Sequence, residues 1–187
     1  MKWEHNSLVE TDTPAEEFVT INGETYPVQL PWKGHVFGIK DNPKSMDLVK
    51  VPIDFSFEES KIYVTRKTRD AFVRMANAAA LEGIELKVDS GYRSMYYQRQ
   101  VFMRLIAKGK TFEEIAGRGT APPGYSEHML GIAFDMVPSN SSFVKTESRK
   151  WLEGNAHKFC FEESYPEDLR DGFLWEPWHW RYTGCDT

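Results

Sequence analysis

Cysteine is scarce in this chain of 187 residues: only Cys160 and Cys185 occur. Two are too few for the disulfide framework on which small secreted folds depend. They read as separate thiols, able to pair only if the C-terminal tail folds back. Long apolar runs are also missing, and none approaches the ~20 residues that a bilayer-spanning helix needs, so no membrane span is expected. No apolar stretch follows Met1-Lys-Trp-Glu-His-Asn6, which argues against a signal peptide. As given, the chain is expected in the cytoplasm, or in the periplasm or cell envelope if a leader has been removed. Nor is there an excess of positive charge. Lys and Arg number 23 against 28 Asp and Glu, for a formal charge of −5. A binder of nucleic-acid phosphates needs clustered cations, so no nucleic-acid partner is expected. No internal repeat or low-complexity tract is present.

What is present describes one folded domain. Hydrophobic residues make up 41% and aromatics 14% of the sequence, with six Trp, enough for a substantial core at this length. Asn22-Gly23, between the β-prone runs of residues 19–21 and 24–28, predicts a tight hairpin. Residues 30–52 carry Pro and Gly and read mainly as loop. From Thr65 the pattern turns helical: Phe72, Met75, Ala76, Ala79 and Ala80 recur at three- and four-residue spacing before Gly83 stops the run. Residues 84–88 alternate as a half-buried strand and lead into Ser90-Gly-Tyr-Arg-Ser94. A second helix is expected over 94–108, with Phe102, Leu105 and Ile106 on its buried side. Thr111-Phe-Glu-Glu114 is a capping box that opens a third. Residues 117–124, with their Pro and Gly, are a surface loop. Further expectations are a strand over 132–137, a helix over 147–158, and closing strands over 173–175 and 178–182. Helices early and strands late indicate an α+β domain with an antiparallel sheet. Residues 1–60 are expected to be an N-terminal extension packed on a catalytic domain spanning 61–187.

Two late segments carry the chemistry: Ser126-Glu-His128-Met-Leu-Gly131-Ile-Ala-Phe-Asp135 and Glu176-Pro-Trp-His179-Trp-Arg-Tyr182. His128, Asp135 and His179 make a two-His, one-carboxylate set, which leaves a coordination position open for water, as in catalytic rather than structural zinc sites. Two imidazoles favour Zn2+ over the oxygen-seeking Mg2+ and Ca2+. His128 and Asp135 are seven apart, which would put them on opposite faces of a continuous strand. Both reach one ion only if the chain turns between them, and Gly131 is the natural place. Asp135 without a metal would be an unpaired carboxylate in an apolar strand, which is costly to bury. Glu176 is a spare carboxylate near the set, suited to act as general base. Because Pro177 disfavours helical geometry at Glu176, the 176–179 segment should be extended and bent. His5, His35 and His157 lack comparable neighbours and read as ordinary surface or core residues.

The pattern Ser-x-His-x-x-Gly-x-Ala-x-Asp followed by Glu-x-Trp-His resembles the zinc D-Ala-D-Ala carboxypeptidases of the VanY type, and with them the L,D-carboxypeptidases and D,D-dipeptidases of peptidoglycan metabolism. Ser90-Gly-Tyr-Arg-Ser94, Pro122-Pro-Gly-Tyr125 and Asn155-Ala-His-Lys158 agree in order, so the resemblance covers roughly residues 60–184. It implies a small antiparallel sheet flanked by helices, of the Hedgehog/D,D-peptidase kind, with a zinc site on the sheet. It implies that Arg93 contacts substrate or stabilises a charged intermediate. Ser126 and Gln98 stand at positions resembling the family's substrate-binding residues, as hydrogen-bond donors to a terminal carboxylate. Tyr92, Tyr125, Trp178 and Trp180 belong either to the pocket or to the core, and Asp89 is structural. The substrate implied is a peptidoglycan stem peptide or muropeptide losing its C-terminal D-alanine, with D,D or L,D specificity left open. The alternatives are a peptidoglycan endopeptidase of the phage-lysin kind, although no repeat or basic tail of a wall-binding module is seen, and a non-catalytic protein stapled by its metal.

Overall fold

The computed structural model describes residues 16–35, 43–44, 47–168 and 172–185. Met1–Asn6 and His5, and part of the expected 30–52 loop, lie outside them. In chain order the strands and α-helices are β1 (Phe18–Ile21), β2 (Glu24–Pro27), β3 (Leu48–Lys50), β4 (Tyr63–Thr65), α1 (Arg66–Leu81), β5 (Val88–Ser90), α2 (Met95–Ala107), α3 (Phe112–Ala116), β6 (Ala133–Met136), α4 (Glu147–Asn155), β7 (Phe161–Glu163) and β8 (His179–Tyr182). An antiparallel sheet in the order β5-β6-β8-β7 is the centre of the molecule, with two two-stranded ribbons, β1-β2 and β3-β4, beside it. The α+β expectation holds.

The sheet divides its faces by the two-residue period of a strand. Phe134 and Met136 of β6 and Trp180 of β8 point into an apolar core with Val64, Val88 and Phe161. Helix α1 covers that core with Ala71, Phe72, Met75, Ala76 and Ala79; Ala80 is exposed. The intervening residues, Asp135, His179 and Arg181, therefore share the opposite face. Asp135 and His179 are direct partners in the β6-β8 register, which brings their side chains together across the strands. That pairing is what positions the site.

A second core joins the N-terminal ribbon to α2 and α3. Val19, Ile21, Val28 and Trp32 pack with Phe102, Phe112 and Ile115. Asn22 and Gly23 both take positive φ, 53° and 83°, as a tight hairpin turn requires. The helices begin where capping side chains stand. Ser94 accepts from Tyr97 N, and Thr111 and Glu114 complete the reciprocal capping box.

Several sequence expectations are corrected. The strand expected over 84–88 begins only at Val88, because Ile84 N donates to Ala79 O and finishes the helix instead. Residues 173–175 form no strand; Phe173 packs edge-on against Trp32 and tilted against Tyr165 in an aromatic cluster. The edge strand β7 and the β3-β4 ribbon were not read from sequence; at three residues each strand is too short to show alternation. The helix expected over 147–158 ends at Asn155 and continues as a 3-10 turn. In α2, Phe102 is fully buried, while Leu105 and Ile106 are only half-buried. Cys160 and Cys185 are not separate thiols: the tail folds back and they form a disulfide across 25 residues. Closing a loop of that length stabilises a fold by about 3 kcal/mol through the unfolded chain.

Candidate active site

His128 sits in a 3-10 turn, Glu127–Leu130, that ends at Gly131 with φ +67°. Gly131 is the predicted corner. A Cβ there would stand 3.1–3.3 Å from Leu48 and Thr65, and its carbonyl accepts from Thr65 N at 2.9 Å. The turn swings His128 toward Asp135 and His179, so that one potential ligand atom from each lies within 4.8 Å of the others. All three residues are buried.

Each imidazole is fixed by its outer nitrogen. His128 Nδ1 lies 2.7 Å from Gly91 O, which leaves Nε2 facing Asp135 Oδ2 at 3.3 Å. On the other side His179 Nε2 lies 2.9 Å from Glu127 Oε2, while Nδ1 faces Asp135 Oδ1 at 3.2 Å. The donor set, two imidazoles and one carboxylate with their outer atoms already bonded, fits a zinc ion.

Arg93 reaches the same atoms. Its Nε donates to Ser90 Oγ at 2.9 Å, and its terminal nitrogen pairs with Asp135 and lies 2.9 Å from His128 Nε2. Burial, followed by the Arg93 charge, lowers the His128 pKa to about 4, keeping the ring neutral. Burial works the same way on His179, but Asp135 and Glu127 on either side outweigh it and raise its pKa to about 10. Asp135 is held well below the usual carboxylate range; burial opposes this, and His128, His179 and Arg93 prevail.

The bend expected between Glu176 and His179 is a β-turn. Glu176 O accepts from His179 N at 2.9 Å, which spans the turn from residue 176 to 179. Pro177, with its fixed φ, suits the second position of such a turn. The turn places both side chains on one cavity of about 180 Å³, together with Arg93, Asp135, His128 and Ser126. Burial first, and then the charge of Asp135, raise the Glu176 pKa to about 7. Gly119 approaches so closely that a Cβ would come within 2.8 Å of Glu176 Oε1. Thus a side chain there would displace the carboxylate.

Gln98 and Ser126 both line this cavity and are buried. Gln98 differs from the expectation of a donor. Its amide nitrogen donates to Ala121 O at 2.7 Å, and its buried Oε1 has no protein partner. The free atom is an acceptor, suited to a substrate N–H rather than a carboxylate. Among the aromatics, Trp178 lines the cavity, whereas Trp180 and Tyr125 belong to the cores. Asp89 accepts from Ser139 Oγ and stands outside the ligand set. His35 packs on Phe173 and His157 is exposed, and neither lines the cavity.

Sequence reading missed Glu127, Ser164, Arg181, Tyr165 and Trp32. Arg181 lies two residues beyond His179 on the same strand face, so alternation could have flagged it. Glu127 adjoins His128 inside the motif. Tyr165, whose ring centroid is 5.0 Å from that of His179, and Trp32, far from the motifs in the chain, gave no such signal.

 Neither residue stands at a fixed spacing from a ligand; packing alone brings them to the cavity wall.

The family profile for VanY, D-alanyl-D-alanine carboxypeptidase, matches residues 61–185. YodJ of Bacillus subtilis is 37% identical over 159 residues, covering 79% of this chain and 57% of that protein. A D-alanyl-D-alanine carboxypeptidase of Enterococcus faecium is 33% identical over 129 residues, covering 67% of this chain and 39% of its relative. The chain thus spans between two fifths and three fifths of the length of these relatives. Among solved structures, the LD-carboxypeptidase LdcB is similar with a TM-score of 0.70 and 32% identity, covering 90% of this chain and 85% of that one. A D,D-pentapeptidase VanY solved in complex with Zn(II) has a TM-score of 0.55 and 28% identity, covering 72% and 83%. With two thirds of its sequence matched by the family profile, this chain belongs to the VanY family of D-alanyl-D-alanine carboxypeptidases.

Proposed function

We propose that the protein is a zinc-dependent carboxypeptidase that hydrolyses the bond to the C-terminal D-alanine of peptidoglycan stem peptides. The observation that carries this reading is the convergence of His128, Asp135 and His179 within 4.8 Å, on a cavity that also holds Glu176 and Arg93. His128 Nε2, an Asp135 oxygen and His179 Nδ1 would hold the metal. Zinc bound there supplies Lewis acidity, polarising the scissile carbonyl and making a water molecule a better nucleophile at neutral pH.

The chain's own residues do the rest. Glu176, with a pKa raised to about 7, is poised to take a proton near neutral pH and return it to the leaving amine. Arg93 donates to the oxygen that gains charge as the carbonyl becomes tetrahedral, an effect worth roughly 2.7–4 kcal/mol for one well-placed donor. Ser126 offers a hydroxyl to the substrate's carboxylate, and Gln98 offers its free Oε1 to a substrate N–H. Residues 1–60 act as an extension to the catalytic domain, with Trp32 supplying part of the cavity wall. The Cys160–Cys185 disulfide supports a working place in an oxidising compartment outside the cytosol.

The test is mass analysis of muropeptides with tetrapeptide and pentapeptide stems, incubated with the protein with and without a chelator. Free D-alanine should be released, and the chelator should abolish its release. Cleavage inside the stem, or turnover indifferent to the chelator, would overturn the reading.

A further inference from the structure

We infer that Glu127 is a positioning residue, which fixes the His179 ring so that Nδ1 faces the cavity as a metal ligand. The inference rests on the metal site proposed above and deepens it. Glu127 is 5% exposed, a costly place for a carboxylate unless both oxygens are matched. They are matched by three side chains, two from β8 and one from residue 164. Oε2 faces His179 Nε2 at 2.9 Å and accepts from Ser164 Oγ at 2.6 Å, while Oε1 pairs with Arg181.

An imidazole has two nitrogens, and the partner of one decides which proton state and orientation the other presents. For His179, Asp135 Oδ1 lies 3.2 Å from Nδ1, so the ring is held at both ends. The two histidines are not held alike. His128 has the neutral carbonyl of Gly91 behind it, whereas His179 has a full anion. A carboxylate behind a ligand imidazole raises its basicity and fixes its angle more firmly than a carbonyl does. Arg181, which also pairs with Glu162, and Ser164 in turn hold the carboxylate in place. Glu127 does not line the cavity, so it acts through His179 and not on substrate.

The experiment compares the full chain with Glu127→Ala and Glu127→Gln variants by two readouts. Zinc affinity is measured by competition with a chromophoric chelator, and the His179 Nε2–H proton is followed by NMR. Glu127→Ala should weaken zinc binding by about 10- to 100-fold and shift the Nε2–H signal out of its downfield, carboxylate-bonded position. Glu127→Gln keeps an acceptor and should lose less. A folded Glu127→Ala protein with unchanged zinc affinity and an unchanged His179 signal would overturn the inference. Should that variant fail to fold, an unchanged affinity and signal in Glu127→Gln would overturn it equally. If the unaltered protein takes up no zinc, the metal reading fails, and the Nε2–H signal of the zinc-free protein still decides whether Glu127 holds the ring.

Discussion

Glu176 shows how a single residue takes its chemistry from its surroundings. An exposed glutamate is a weak base at neutral pH, already ionised well below it. Burial and the nearby Asp135 charge raise this one to about 7, where it can both accept and return a proton. Glu176→Gln keeps the size and removes the proton carrier. Turnover of a D-alanine-ended stem peptide should fall by about 10²- to 10⁴-fold, with zinc content by elemental analysis unchanged. A variant that retained turnover would remove Glu176 from the base role. The spacing Glu-x-x-His was legible in sequence, but the pKa was not. It depends on burial in the folded protein and on Asp135, 41 residues away in the chain.

At the scale of elements, the site depends on a corner and a register. The 3-10 turn before β6 must end abruptly for His128 to face Asp135, and Gly131 provides the left-handed residue that ends it. An alanine at 131 would meet Leu48 and Thr65 at 3.1–3.3 Å in addition to the unfavourable φ. Gly131→Ala should therefore destabilise the fold by about 1–3 kcal/mol, measured by urea denaturation in the presence of a chelator. Unchanged stability would mean that the corner relaxes freely and is not a constraint on the site. The corner could be anticipated, since an odd separation of two ligands demands a turn and Gly131 stood between them. The register could not. That Asp135 pairs with His179 and not with Arg181 is set by β6 and β8 docking as neighbours, an association between residues more than 40 positions apart.

For the whole molecule, the buried charges set a pH profile in the zinc-free state. The His179 pKa, raised to about 10, contributes stability that is fully present below about 6.5 and is lost as pH rises through 10. Burial pushes Glu127 up, but His179, Ser164 and Arg181 bring it down to about 2. Its contribution is present above 4.5 and is lost as pH falls through 2. His128, lowered to about 4, costs stability as pH falls from 6.5, while Glu176, raised to about 7, returns stability over much the same interval. These two oppose one another. The chelated protein should therefore have its highest melting temperature between about pH 4.5 and 6.5 and decline on both sides, measured by calorimetry in matched ionic strength. A melting temperature that rises steadily from pH 6.5 to 10 would show that His179 is not held between two carboxylates.

The sequence by itself determined the α+β class, the N-terminal hairpin, the helix between Thr65 and Gly83, the capping box at Thr111, and the membership of His128, Asp135, His179 and Glu176 in one cluster. These are legible because they rest on local periodicity, on turn chemistry and on a donor set whose types and spacings suit one ion. Tertiary structure alone decided the rest. It joined Cys160 to Cys185, turned the free end of Gln98 into an acceptor, set Glu127 behind His179 and brought Trp32 to the cavity wall. Each of those depends on which surfaces meet once the sheet and its helices have packed, and short-range pattern carries no record of that.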